Sequence, residues 1–221
     1  MKIDLIPVLH IRPSLNDIPA PAEHPFWEHT ELWEQYTRKA LIHEGYSIRM
    51  ETYLTGFPFY SISSLLEEDV TKIVIEHTEG LRTGQFKTPD IISLDGGYVL
   101  KKNGKDKFFP QCCAELCDIH YWRSLAKGIV DQPHEGHPSP SVEIHKGIIT
   151  FEFSEEGQGE HFSPPPAEKI LQVEQSELQI AVKQAESDLH EFAELLKKIN
   201  LRSNLGIANI DQMLIWGQTP H

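Results

Sequence analysis

Three cysteines, Cys112, Cys113 and Cys117, fall within six residues, and His120 follows three positions after the last of them. Thiolate and imidazole are good zinc ligands, and four such groups close a tetrahedral site. A zinc ion held by Cys112, Cys117 and His120 is therefore one chemistry open to this segment. The spacing works against it, because zinc-binding residues normally come as two separated pairs, each on its own short turn. The plainer expectation is that small apolar thiols pack where a strand turns into a helix. Cys117 and His120 could also pair as thiolate and imidazolium. A reactive thiol needs a helix N-terminus or a cationic neighbour to lower its pKa, and Asp118 is placed to cap a helix that begins just after Cys117.

A second concentration of polar chemistry runs over residues 131–168. It contains eight carboxylates and one lysine, a net charge of −7 out of −13 for the whole chain, and four of the 12 histidines. His134-Glu135-Gly136-His137 has two imidazoles three apart. The helical zincin pattern needs them four apart on a helix, and Gly136 and Pro138 rule a helix out here. Glu143 and His145 share one strand face and could both reach a cation. Glu135, Glu143, His145, Glu152, Glu155, Glu156 and Glu160 are the residues predicted to meet a basic protein partner. Protonating the four histidines would cancel up to four of the seven charges, so partner binding at this segment is expected to weaken as pH falls through ~6.5.

Whole-chain composition sets the classes that these groups can serve. The 221 residues carry 20 Lys and Arg against 33 Asp and Glu. Duplex nucleic acid and anionic membranes are repelled by such a surface, whereas a basic protein is attracted. Charge of this size also serves solubility alone. Gly96-Gly97 precedes a strand rather than opening a helix, so it makes no phosphate cradle. No nucleophile elbow and no basic patch interleaved with aromatics is present. An odd, clustered set of cysteines does not make a secreted disulfide framework. Asp4, Pro7, His10 and Arg12 interrupt any apolar run after Met1, so neither a signal peptide nor a bilayer-spanning stretch is predicted. The expected location is a reducing cytoplasm.

The elements that would position these groups form a mixed set. Residues 2–11 read as a strand, with Pro7 pointing to an edge or a bulge. Four prolines make residues 12–25 a loop. Trp33, Tyr36, Ala40 and Leu41 give a helix over residues 30–44 that Gly45 ends. Residues 63–81 show helical spacing of Leu65, Leu66, Val70, Ile73, Val74 and His77, although their β-branched residues leave a strand open. Asn103-Gly104 supplies a two-residue turn with Val99 facing Phe108 and Lys101 facing Asp106. Lys146-Gly147 joins a second hairpin, in which Val142 meets Phe151 and Ile144 meets Ile149, with Glu143 and Thr150 on the other face. Residues 118–127 read as a short helix capped by Asp118. Residues 154–166 read as a loop or linker. Ser176 and Gln179 form a capping box ahead of a seam of Leu178, Val182, Ala185, Leu189, Phe192, Leu196 and Ile199. A short amphipathic helix closes the chain near residues 210–216. Strands and helices do not alternate as in a parallel sheet, which favours α+β. The expectation is one α+β domain over residues 1–221, an antiparallel sheet of hairpins packed against helices with a long C-terminal amphipathic helix.

Several segments taken together resemble a group of small bacterial cytoplasmic proteins associated with toxin immunity. They are Gly97-Tyr-Val-Leu with its Asn103-Gly104 turn, Phe109-Pro-Gln-Cys-Cys113, Asp118-Ile-His-Tyr-Trp122, Gly136-His-Pro-Ser-Pro140 and Ile210-Asp-Gln-Met-Leu-Ile-Trp-Gly217. The resemblance implies a binding role and carries no catalytic residue. The leading expectation is a non-enzymatic acidic binding protein, immunity-like, that neutralises a basic partner and needs no cofactor. The alternative is a metal- or thiol-dependent enzyme that uses residues 112–120 and the His-rich residues 134–161, with zinc as its ion.

Overall fold

A computed structural model describes residues 2–14, 17–85, 93–130, 136–154 and 159–217. In chain order the elements are β1 (Ile3–His10), α1 (Thr30–His43), β2 (Phe59–Ser61), α2 (Glu67–His77), α3 (Glu79–Arg82), β3 (Gly96–Lys102), β4 (Lys105–Phe108), α4 (Ile119–Ala126), β5 (Ser141–His145), β6 (Ile148–Glu152), β7 (Ile170–Glu174), α5 (Gln175–Arg202) and α6 (Ile210–Leu214). Single 3-10 turns occupy Phe26–Glu28 and Leu116–Asp118. The fold is α+β with antiparallel sheets and one long helix near its C-terminal end. Among the described residues, no helix is long and apolar enough to cross a membrane.

The chain divides into two compact units, one formed by Met1–Pro7 with Asp95–His190, the other by Val8–Leu94 with Glu191–His221. Both β1 and α5 contribute to each unit. In the first unit, β3 pairs antiparallel with β4 and neighbours β1 in the strand order. Lys101 faces Asp106 as expected, at 3.4 Å between charged atoms. Leu100 rather than Val99 faces Phe108, because the register shifts between Leu100 and Lys101. A bulge adds a residue to one strand, and turn chemistry alone does not reveal it.

The second sheet of this unit has order β5-β6-β7. Val142 pairs with Phe151, Glu143 with Thr150 and Ile144 with Ile149, the register set by the Lys146-Gly147 turn. The third strand, β7, follows the loop over residues 154–166, and no turn signal in the sequence marks it. Its Leu171 and Val173 are fully buried while Ile170, Gln172 and Glu174 are exposed, the period-two pattern of a half-buried strand. Phe151, Ile149, Trp122 and Leu125 share this buried interior, with Trp122 and Phe151 ring centroids 6.0 Å apart. Leu178, Val182, Ala185 and Leu189 of α5 are buried in the same unit. Gln179 closes no capping box with Ser176, because α5 begins at Gln175 and Ser176 lies inside it. The Gln179 amide donates to the Ala126 carbonyl at 2.9 Å, and that of Gln175 does so at 3.1 Å.

In the second unit, β1 pairs with β2 through Val8, Leu9 and His10. Helix α1 ends where expected, with Gly45 at φ +93°. The segment 63–81 is helical despite its β-branched residues. Val70, Ile73 and Val74 are buried on one stripe, and Glu67, Glu68 and Asp69 favour the helix N-terminus. The helix starts later than its spacing suggested, at Glu67, and breaks at Thr78. Thr78 Oγ1 donates back to the Val74 carbonyl at 2.6 Å, a bond that bends helices. Phe192, Leu196 and Ile199 of α5 and Ile210, Met213, Leu214 and Ile215 around α6 complete the core of this unit.

Candidate functional site

Strand β4 runs into the loop that carries the cysteines, and four contacts fix that loop. The Gly96 N–H donates to the Ala114 carbonyl at 2.9 Å, and the Ala114 N–H to the Gln111 carbonyl at 3.1 Å. The His137 N–H donates to the Cys112 carbonyl at 3.0 Å, which pins residue 137 beside residue 112 in an antiparallel bridge. The side chain of Gln111 makes the fourth tie. Its amide donates to the Phe109 carbonyl at 2.8 Å and its oxygen accepts from the Ser163 N–H at 2.9 Å. Gln111 is buried, so both ends of its amide must be satisfied, and they are. Ser163 follows the buried ring of Phe162, which packs edge-on against Phe153.

Strand β3 backs the loop closely. Gly97 has φ +128°, and a Cβ there would stand 3.2 Å from the Pro110 Cβ and 3.5 Å from that of Ala114. Gly97→Ala is expected to lower the stability of the first unit by about 1–3 kcal/mol, from the backbone region alone. A urea midpoint unchanged in Gly97→Ala would contradict this.

Adjacent side chains in extended backbone point to opposite sides. Cys113 breaks that alternation with φ +65°, a left-handed conformation uncommon for a residue with a side chain. The two sulfurs consequently lie 3.6 Å apart, both exposed. A ring nitrogen of His137 lies with both sulfurs inside a 4.8 Å limit on every pairwise distance. Nδ1 of His137 is 2.5 Å from Oε2 of Glu160, and both side chains are half-exposed. The Cys113 thiol is pushed up, first by its hydrogen bond and charge interaction with Cys112 and then by slight desolvation, with Asp95 and Glu160 adding to the effect. At neutral pH it is held as a thiol, a weak nucleophile.

Cys117 and His120 sit elsewhere in the same unit. Cys117 lies in the 3-10 turn, where its sulfur is 3.5 Å from Oε2 of Glu115. His120 lies on α4, with Nδ1 3.1 Å from Nη1 of Arg123, whose Nε is in turn 2.7 Å from Oε1 of Glu186. The Asp118 carboxylate turns back to accept from the Glu115 N–H at 3.2 Å and makes no side-chain cap on α4. Among the described residues, Cys112, Cys117 and His120 do not form a group with metal-ligand spacing, whereas Cys112, Cys113 and His137 do. Twenty-four positions separate Cys113 from His137, and an isolated backbone bridge brings them together. Nothing in the local spacing signals that bridge.

The acidic residues divide differently. Glu135, Glu155 and Glu156, and with them His134, lie outside the described residues. Glu160 is beside His137. Glu143, His145 and Glu152 are exposed on the outer face of the β5-β6-β7 sheet. The register sets that face as three rows: Ser141, Glu152 and Ile170; Glu143, Thr150 and Gln172; His145, Ile148 and Glu174. Each row and each strand carries one glutamate. Among the described residues, no cation pairs with Glu143, Glu152 or Glu174. Two-residue repeats of ~6.8 Å and strand spacings of ~4.8 Å place them ~8–14 Å apart. Such spacing keeps their mutual repulsion small at physiological salt, where the screening length is ~8 Å. Ile170, 55% exposed, adds an apolar contact at one corner.

Comparison with protein-family models, with curated proteins and with solved structures finds no match to this chain.

Proposed function

We propose that this chain is a non-enzymatic binding protein that holds a basic protein partner on the outer face of β5, β6 and β7, as an immunity-like protein holds the protein it neutralises. The observation that supports this most is the arrangement of Glu143, Glu152 and Glu174 with His145 and exposed Ile170 on one face of the sheet. An extended basic segment repeats its side chains every ~6.8 Å, so lysines or arginines at alternate positions match the rows of this face. Ile170 offers an apolar contact at one corner of the same face. Charge of this kind speeds encounter and selects basic partners more than it sets lifetime.

The test is affinity capture of a partner at low salt from the cells that make the protein, repeated with the triple variant Glu143→Gln, Glu152→Gln, Glu174→Gln. These are exposed positions, so the triple variant should fold with wild-type stability to within about 0.5 kcal/mol per site. The expected outcome is a basic protein retained by the wild type, released by salt, and lost from the variant by at least tenfold. The proposal fails if no protein is retained at low salt, or if the variant retains the same partner equally well.

A further inference from the structure

We propose that Cys112, Cys113 and His137 form a three-ligand site for a zinc-class divalent cation, with Glu160 orienting the imidazole. This site is separate from the sheet face and stands whether or not a protein partner binds there.

The geometry carries the argument. Two thiolates at the usual ~2.3 Å from a tetrahedral zinc ion stand ~3.7 Å apart. The Cys112 and Cys113 sulfurs are already at 3.6 Å. A linear two-thiolate ion would need them ~4.6 Å apart at the same bond length, so the bite selects tetrahedral coordination. Neighbouring cysteines reach such a bite only if the chain turns between them, and the left-handed Cys113 provides that turn. A non-glycine residue held there costs on the order of 1–3 kcal/mol, and such residues cluster at functional sites.

The third ligand is prepared in the same way. Metal-bound histidine characteristically gives its other ring N–H to a carboxylate, which fixes the tautomer and raises ligand basicity. Nδ1 of His137 faces the Glu160 carboxylate, and a neutral ring that donates there presents its Nε2 lone pair to a cation. The sulfurs and the ring nitrogen lie within 4.8 Å of one another, so closure onto one ion shortens a sulfur–nitrogen distance by about 1.2 Å at most to reach the ~3.6 Å of a zinc site. The backbone bond from His137 to Cys112 and the Gln111 bridge to Ser163 already hold the three segments in register. Each thiol gives its proton to solvent on coordination, so two thiolates balance the two charges of the ion and the imidazole binds as a neutral ring. All three ligands are exposed, and the fourth position opens to water or to a side chain from another molecule.

The test uses the full, reduced, metal-free chain titrated with Co²⁺ and then Zn²⁺. The expected result is one equivalent of Co²⁺, with sulfur-to-cobalt charge-transfer absorption and intense tetrahedral d–d bands, displaced by Zn²⁺. Cys112→Ser, Cys113→Ser and His137→Ala should each weaken binding by tenfold or more. Glu160→Gln should weaken it by roughly 10–100-fold, while Cys117→Ser and His120→Ala bind as the wild type does. Far-UV spectra and melting of the metal-free variants check folding, and His137→Ala leaves the Cys113 turn intact if a cysteine variant does not fold. Binding only at millimolar metal, a wild-type affinity in both Cys113→Ser and His137→Ala, or loss in Cys117→Ser and His120→Ala instead would each overturn the site.

Discussion

Acidification is expected to destabilise the second unit through His10, by about 1.4 kcal/mol for each pH unit between 6.5 and 3. Burial holds the His10 imidazole well below its usual 6.5, down to about 3, and the positive charge of Arg12 lowers it further. The ring stacks 5.1 Å from Phe59, its partner across β1 and β2, and its Nε2 accepts from the Arg12 Nε at 2.9 Å. A protonated ring could not accept that bond. The sign follows directly. Above pH 6.5 the ring is neutral in both folded and unfolded chains, and the folded state loses nothing. Below 6.5 the unfolded chain takes up a proton that the folded chain refuses, so stability falls until about pH 3, where the folded chain takes it too. His10→Gln keeps an acceptor for Arg12 but does not titrate. The stability difference between wild type and His10→Gln, from urea unfolding at pH 7, 5.5 and 4, should therefore shift steadily toward the variant. A difference that stays constant over that range would show that the fold does not hold the half-buried His10 ring neutral.

Phe151→Ala is expected to cost about 3–5 kcal/mol, whereas Glu152→Gln, one residue on, should stay within about 0.5 kcal/mol. Phe151 is fully buried opposite Val142 and Leu171, with its ring against Trp122, while Glu152 points to solvent from the same strand. Truncating the ring removes transfer energy and leaves a cavity that Trp122 and Ile149 cannot fill without moving. Chemical unfolding followed by Trp fluorescence separates the two outcomes. Equal effects at both positions would mean that the strand does not present one dry and one wet face.

This hairpin shows what the sequence makes legible. Two positive-φ positions at Lys146 and Gly147 fix the turn, and apolar alternation then fixes every pair along β5 and β6. The buried seam of α5 was equally readable, because seven residues recurring at four and three positions have one low-energy arrangement. The first hairpin was readable only as far as Lys101 and Asp106, since its bulge depends on tertiary fit. Strand β7 leaves a weak sequence signal, being five residues long after a proline-rich stretch, so that only Leu171 and Val173 mark its dry face. Of the candidate sites, Glu143 and Glu152 of the sheet face follow from local pattern, whereas Glu174 joins them only through β7. The cysteine site does not follow from it, because His137 and Glu160 reach Cys112 and Cys113 through one backbone bridge and one buried glutamine, and neither leaves a trace in spacing.

Hydrogen exchange on the complex with the captured partner tests the account most directly. The central claim is that a basic partner lies across the outer face of β5, β6 and β7. Protection should appear at residues 141–152 and 170–174, and it should fade as salt is raised. Protection confined to other segments, with the exchange of these strands the same in free and bound protein, would contradict the claim.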